Sequence, residues 1–338
     1  MSRNRSTHLL GFALDHPWAL TPGMLRVVAG ILGDHLAGKA ADPETIEAAV
    51  AARRPDGPQQ LRRGGVAVIP VSGVIAPRAN LLTETSGGTS FEALTRATRE
   101  AVAHPDVKTI VYDVDSPGGS AAGAAEFATE VRAARAKKAI VAVANHQMAS
   151  AAYWVFANAT KVHASPSALV GSVGVYTIHN DLSDALAQLG IKREYLSVGK
   201  YKIEGNETGP LSDEARAYRM GLIQQTYDHF IGDVAKGRGV PAATVRDSYG
   251  QGRLLTADDA LAAGMIDAVA TLDETLARLL PDGVPATEIA PSARASTSQE
   301  PLPATDQETH EPSTTQRAAL AAALLSWDLT DLERSCAL

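Results

Sequence analysis

Thr109-Ile110-Val111-Tyr112-Asp113-Val114-Asp115-Ser116-Pro117-Gly118-Gly119-Ser120 is the stretch that decides the fold. A run of β-branched and aromatic residues leads into a proline and two glycines, which predicts a buried strand ending in a tight turn. Ser120–Ala134 then reads as a helix. Working outward, Val66–Val71 predicts an earlier strand and Ala139–Ala144 a later one. Between them, Thr89-Ser90-Phe91-Glu92 reads as a capping box, followed by Phe91, Leu94, Thr98 and Val102 on one helical face. The strands are continuous apolar runs, as sheets buried on both faces require. Strands alternating with helices predict an α/β fold, a mostly parallel sheet covered by helices.

Downstream, Ser150–Ala157 reads as a helix and Lys161–Ala164 and Val173–Ile178 as strands. Asp181–Leu189 reads as a helix stopped by Gly190, and Lys192–Ser197 as a further strand. Ser212–Lys236 predicts a long helix with Met220, Ile223, Tyr227, Phe230 and Val234 on one face. Upstream, residues 17–52 read as helical, with Leu20, Met24, Val27, Val28 and Ile31 near helical spacing, and an Arg-rich, exposed linker follows to Arg63. After Leu280, Pro291–Gln316 is rich in Ser, Thr, Pro, Gln and Glu, which predicts disorder. The expected organisation is a helical region and linker over 1–63, a main domain over 64–282, a disordered linker over 283–316 and a short amphipathic helix over 317–338.

Composition narrows the function classes. The 338 residues are 45% hydrophobic and 20% charged, as in an ordinary globular protein. A net charge of −7 gives no bulk attraction to nucleic acid or to an anionic membrane surface. A single cysteine, Cys336, excludes an intrachain disulfide and a cysteine zinc site, so a reducing compartment is expected. The apolar stretch Leu9–Leu14 is broken by Asp15-His16-Pro17, so no secretory signal is read. Ala139–Ala144 and Ala318–Trp327 fall far below the roughly 18–20 residues that span a bilayer. A cytoplasmic chain without membrane or nucleic-acid partners is expected. No His-Glu-x-x-His, paired cysteines or Gly-x-x-x-x-Gly-Lys-Ser/Thr occurs, and the glycines of 118–123 lack dinucleotide-binding spacing. Neither a metal nor a cofactor is expected.

Two segments carry chemistry. Gly118 and Gly119 free the backbone to present N–H groups outward, as an oxyanion hole requires, although glycines alone are equally those of an ordinary strand-to-helix turn. Ser150 lies between small residues at a second strand-to-helix junction, in Met148-Ala149-Ser150-Ala151-Ala152. It reads either as a nucleophile, which needs a base, or as a helix N-cap.

Ile69–Ser72, Asp113–Ser120, Met148–Trp154, Gly171-Ser172-Val173-Gly174, Gly199–Lys202 and Gly252–Asp267 follow one another in a familiar order. Over roughly residues 65–280 the sequence resembles the signal peptide peptidase A-type serine peptidases, which share the Clp/crotonase fold. Pro17–Leu36, the Arg-rich linker and Tyr201–Asn206 are similar to the soluble head-maturation (capsid assembly) proteases of tailed phages. The resemblance implies a Ser–Lys dyad with Ser150 as nucleophile and Lys202 as base, ahead of its neighbour Lys200. It implies that Ser172 hydrogen-bonds the lysine amine. It implies oxyanion donors at Gly119, Gly118 and Ala151. A lysine acts as a base only when neutral, and in water its pKa is about 10.4, so desolvation is required. The family usually has glycine directly after the serine, whereas this chain has Ala151-Ala152, which puts the shape of the substrate pocket in doubt.

The implied partners are phage scaffold and capsid proteins within an assembling capsid, and further copies of the chain in a ring whose sites are shared between subunits. Self-cleavage in or near Pro291–Gln316 is expected. Four other readings stay open. They are a cytoplasmic signal-peptide or oligopeptide peptidase of the same family; a Clp-like triad using His163 or His179 with an aspartate such as Asp184; a crotonase-like acyl-CoA enzyme; and a non-catalytic scaffold homologue.

Overall fold

The computed structural model describes residues 18–21, 61–78 and 88–280. Among the described residues the first elements are the short strands Trp18–Leu20 (β1) and Leu61–Arg63 (β2). Val66–Ser72 (β3), Ile75–Ala76 (β4), Thr89–Ser90 (β5) and Phe91–Ala103 (α1) follow. Next come Thr109–Ser116 (β6), Gly118–Ser120 (β7), Ala124–Arg135 (α2), Ala139–Ala149 (β8) and Ala151–Phe156 (α3). Lys161–Ala164 (β9) and Leu169–Gly171 (β10) precede Ser183–Gln188 (α4), Asp213–Arg238 (α5) and Ala242–Ser248 (α6). Leu254–Thr256 (β11), Ala257–Ala262 (α7), Ala268–Val269 (β12) and Leu272–Leu279 (α8) complete the order.

The three apolar runs read from the sequence are the centre of the larger sheet, ordered β11-β10-β8-β6-β3-β2. β3, β6 and β8 are parallel, as are β8 with β9 and β10, and β9 with β12. Only the edges, β2 on β3 and β11 on β10, are antiparallel. The expected α/β class, a mostly parallel sheet covered by helices, is what the chain adopts.

Alternation along β6 explains why its sequence is apolar at almost every position. Ile110, Tyr112 and Val114 face the core under α1, α2 and α3, where Tyr112 packs on Phe156 at 4.7 Å between ring centroids. Val111 faces the other way with Val66, Val68, Val141 and Val143, against Leu272, Leu276 and Leu280. Both faces are covered, and neither tolerates a polar side chain without a hydrogen-bond partner.

β8 positions the site. Its first half carries β9, from Val141 opposite Lys161, and its second half carries β10, from Leu169 opposite Gln147. The β6–β8 register shifts between Val114 and Ser116, so Ser116 comes opposite Met148. Such irregularities re-aim strand ends, and here both strands end at the second, smaller sheet, ordered β1-β7-β4-β5. α3 is then held from behind. Trp154 stacks on Phe230 of α5 at 4.6 Å, and its indole N–H donates to Asp233 Oδ2 at 3.0 Å. Arg132 of α2 pairs with the same carboxylate at 3.1 Å. Truncating such a buried tryptophan costs about 3–5 kcal/mol.

Several expectations are corrected. Residues 18–20 are a strand, not the start of a helix; the rest of 22–52 lies outside the described residues. Leu61–Arg63, expected in the linker, pairs with β3. The helix expected from Ser120 starts only after Gly123, because Gly118–Ser120 is held in the small sheet between β1 and β4. Ser90, not Thr89, caps α1 by accepting the Ala93 N–H, while Thr89 bonds the backbone of Ser72. Val173–Ile178 and Lys192–Ser197 are not strands; the ladder partner of β8 is Leu169–Gly171 instead. Met220 is exposed, and of the expected face of α5 only Phe230 and Val234 are buried. The tail from 281 to 338, with its expected disorder, helix and self-cleavage, lies outside the described residues.

Candidate active site

Ser150 stands between β8 and α3 with φ 52° and ψ −117°. An N-cap residue has extended dihedrals and a side chain that accepts from the first helical turn. Ser150 has neither, and its side chain makes no capping bond. Of the two readings of this serine, the N-cap is therefore removed. A non-glycine residue in that region is strained by about 1–3 kcal/mol and persists only where its surroundings hold it. Here the Ser150 N–H donates to Gly171 O at 2.7 Å, and the Trp154 N–H donates to Ser150 O at 2.8 Å. A strained strand-to-helix turn that presents a serine hydroxyl is the geometry of a nucleophile elbow.

Gly118 presses against this turn, and Gly119 against β4. A Cβ on Gly118 would lie 2.9 Å from both Ser150 Cβ and Ala149 O, at φ 100°. A Cβ on Gly119 would lie 1.9 Å from Ile75 O. Only glycine fits either position, Gly118 because of its close approach to the serine and Gly119 because of its close approach to the Ile75 backbone. The expected donors differ in state. The Gly118 N–H is engaged by Ser116 Oγ at 3.2 Å, and that hydroxyl donates to Gly73 O at 2.7 Å. Gly119 sits in the ladder between Ala19 and Ile75. The Ala151 N–H is the first of α3 and has no acceptor within the helix.

Ser172 follows β10 and is buried, with φ 53°. Its N–H donates to Arg253 O at 2.8 Å, which ties it to the block around Gly252–Asp267. That block is a staple. Arg238 pairs with Asp267 at 2.8 Å and donates to Gly264 O, Tyr249 donates to Gly264 O at 3.1 Å, and Tyr153 of α3 donates to Met265 O at 2.9 Å.

The lysines lie elsewhere, on the segment 176–211, where most residues are exposed. Lys202 is exposed in a turn, its N–H bonded to Gly199 O at 3.1 Å. Lys200 is engaged by Tyr201 Oη at 2.7 Å and Glu214 Oε1 at 3.3 Å. The Tyr201 hydrogen bond, with Glu214, raises its pKa, which is the wrong direction for a base. Nearby, Thr177, Tyr201, Glu204, Glu214 and Tyr218 line a cavity of about 570 Å³.

Neither expected triad histidine touches Ser150. His163 Nδ1 pairs with Thr275 Oγ1 at 2.9 Å, and burial lowers its pKa. His179 Nε2 donates to Gly209 O at 2.9 Å, and Asp184 is exposed. Sequence reading missed three parts of the site: Ser116 as the hydroxyl under the glycine turn, Gly171 O as the acceptor that holds Ser150, and β1. Ser116 had a signal in Ser116-Pro117-Gly118-Gly119; a three-residue strand such as β1 had none. Among the described residues no group of three or more His, Cys, Asp or Glu is placed to hold a metal ion, and no helix is long and apolar enough to cross a membrane.

Known proteins are similar to this chain in sequence. Capsid assembly protease C of Escherichia phage lambda is 29% identical over 274 residues, covering 77% of this chain and 62% of that protein. Protease 4 of Salmonella typhi is 32% identical over 216 residues, covering 64% of this chain and 34% of its own length. Head-tail preconnector protein GP5 of Enterobacteria phage P21 is 27% identical over 259 residues, covering 72% and 51%. The chain thus spans between about a third and just under two thirds of the length of these relatives. Among solved structures, a ClpP1 variant from Listeria monocytogenes is similar with a TM-score of 0.39 and 12% identity, over 60% of this chain and 91% of that one. Residues 132–282, which include β8, Ser150, Ser172 and the stapled block, match the model of peptidase family S49.

Proposed function

We propose that the chain is a serine endopeptidase in which Ser150 attacks the peptide carbonyl and Lys202 is the general base. The observation that carries this reading is the conformation of Ser150: buried, strained, free of any capping bond and packed on Gly118. In the proposed reaction, Ser150 Oγ bonds to the carbonyl carbon as its proton passes to the Lys202 amine. The oxyanion is met by the Ala151 N–H and by the glycine turn at Gly119, with the Gly118 N–H joining only on leaving Ser116 Oγ. Collapse breaks the C–N bond, the lysine proton goes to the leaving amine, and water, deprotonated by the lysine, hydrolyses the ester. Ser172 orients the lysine amine. The engagement of Lys200 by Tyr201 and Glu214 favours Lys202 over its neighbour.

A base on an exposed segment needs a cover. Leu196 and Val198 are 91% and 97% exposed, and Ile191 and Tyr201 are exposed around Lys202. These side chains favour assembly with a second copy, which buries the segment and desolvates the amine, so that a site is shared between subunits. The phage-named relatives favour scaffold and capsid proteins as substrates.

The test is co-expression with capsid and scaffold proteins, read by mass spectrometry. Processing is expected in the wild type and in Lys200→Ala and His179→Ala, and not in Ser150→Ala or Lys202→Ala. Loss in His179→Ala with retention in Lys202→Ala replaces the dyad by a triad. No cleavage by any chain leaves the scaffold reading.

A further inference from the structure

The edge of the small sheet beside Ser150 is occupied by a piece of this chain. β1 runs antiparallel to β7, with Trp18 opposite Ser120, Ala19 opposite Gly119 and Leu20 opposite Gly118. The Thr21 N–H continues the ladder to Pro117 O at 3.1 Å. The point where a Gly118 Cβ would sit is 2.3 Å from the Ala19 carbonyl oxygen and 2.9 Å from Ser150 Cβ. One carbonyl of β1 and the serine side chain therefore converge on the same glycine. Ala19 and Leu20 are buried. An extended main chain added to a sheet edge, with a carbonyl set beside a serine, is how a peptide is presented by strand addition. The occupant is also weakly held by its length, since three residues form few ladder bonds.

We propose that β1 is a resident pseudosubstrate: Trp18–Leu20 holds the peptide-binding edge of β7 and leaves it when a substrate strand binds. The proposal rests on Ser150 being the nucleophile. Displacement of β1 frees the Gly118–Ser120 backbone and opens the space against Ser150 that the Ala19 carbonyl fills.

The test uses the full chain and an active-site-directed fluorophosphonate. Ala19→Asp puts a carboxylate at a buried position and expels the strand. It is expected to raise amide exchange at Gly118–Ser120 and to speed labelling of Ser150 about tenfold or more over wild type. A second measurement needs no variant: labelling of the wild-type chain is expected to raise exchange at Ala19–Thr21 about tenfold, because adduct and strand compete for one space. Labelling of Ala19→Asp no faster than wild type, or unchanged protection of Ala19–Thr21 in the labelled chain, overturns the proposal and leaves Ser150 as a nucleophile. Absence of labelling in every chain overturns both readings together.

Discussion

Replacing Ser150 by glycine is expected to stabilise the chain while removing its nucleophile. The residue sits at φ 52°, ψ −117°, outside the small left-handed helical region that other residues tolerate best. Its strain belongs in the upper part of the range, about 2–3 kcal/mol. Glycine adopts these dihedrals freely but loses about 0.5–1 kcal/mol in backbone entropy. The buried methylene that disappears is worth up to about 0.8 kcal/mol. About 1 kcal/mol remains in favour of glycine, or a Tm rise of about 2–4 °C for a domain of this size. Ser150→Ala is the reference, because it loses the hydroxyl and keeps the strain. Both variants are melted side by side, followed by near-UV circular dichroism, and checked for loss of proteolysis. If Ser150→Gly melts at or below Ser150→Ala, the turn stores no strain and the conformational reason for singling out Ser150 is wrong.

Three other outcomes are expected. Lys202→Arg keeps the charge but cannot be deprotonated near neutral pH, so it is as inactive as Lys202→Ala in a peptide-cleavage assay; activity in the arginine variant removes lysine as the base. Gly119→Ala drives a Cβ into the Ile75 backbone and costs about 3 kcal/mol or more by urea denaturation; a loss under about 1 kcal/mol shows that β4 and β7 yield. Burial pushes the Asp267 carboxyl up, but the Arg238 guanidinium and the Val162 N–H more than offset this and hold it below the usual carboxylate range. A depressed folded pKa means stability that is present above about pH 4 and lost as pH falls through the lower value. Asp267→Asn is therefore expected to flatten the acid side of a Tm-against-pH curve, and an unchanged slope assigns acid lability elsewhere.

How far the sequence could be read depended on how many neighbours each element has. β3, β6 and β8 are covered on both faces, so burial selects apolar residues at nearly every position and the runs are plain. β1, β4 and β7 are two or three residues long, too short to show a period, and the small sheet they build was invisible. Lys192–Ser197 has strand composition, but Leu196 is almost fully exposed and no ladder forms, because composition without a neighbouring edge does not make a strand. α5 misled in the same way: its apolar spacing runs from Met220 to Val234, yet of that face only Phe230 and Val234 are buried. At Ser150 sequence reading found the residue and could not choose its role. A capping serine and an elbow serine share the same neighbours, and only the dihedrals separate them.

The two halves of the proposed dyad are built to different degrees, and this has a measurable consequence. The serine half is locked by Gly171, Gly118 and the Trp154–Asp233 contact within one chain. The lysine half stands on exposed residues with no comparable packing. In water at pH 7.4, a lysine with a pKa of about 10.4 is neutral in about one molecule per thousand. Removing water from around such an amine favours its neutral form, which a base requires. If a second copy supplies the cover, specific activity is expected to rise steeply with protein concentration, in step with the oligomer seen by analytical ultracentrifugation. Leu196→Asp with Val198→Asp is then expected to abolish both the oligomer and the activity while leaving the Tm of the monomer unchanged. Activity that stays constant on dilution through the dissociation range shows that the base is desolvated within a single chain, and moves the search for it away from the exposed segment.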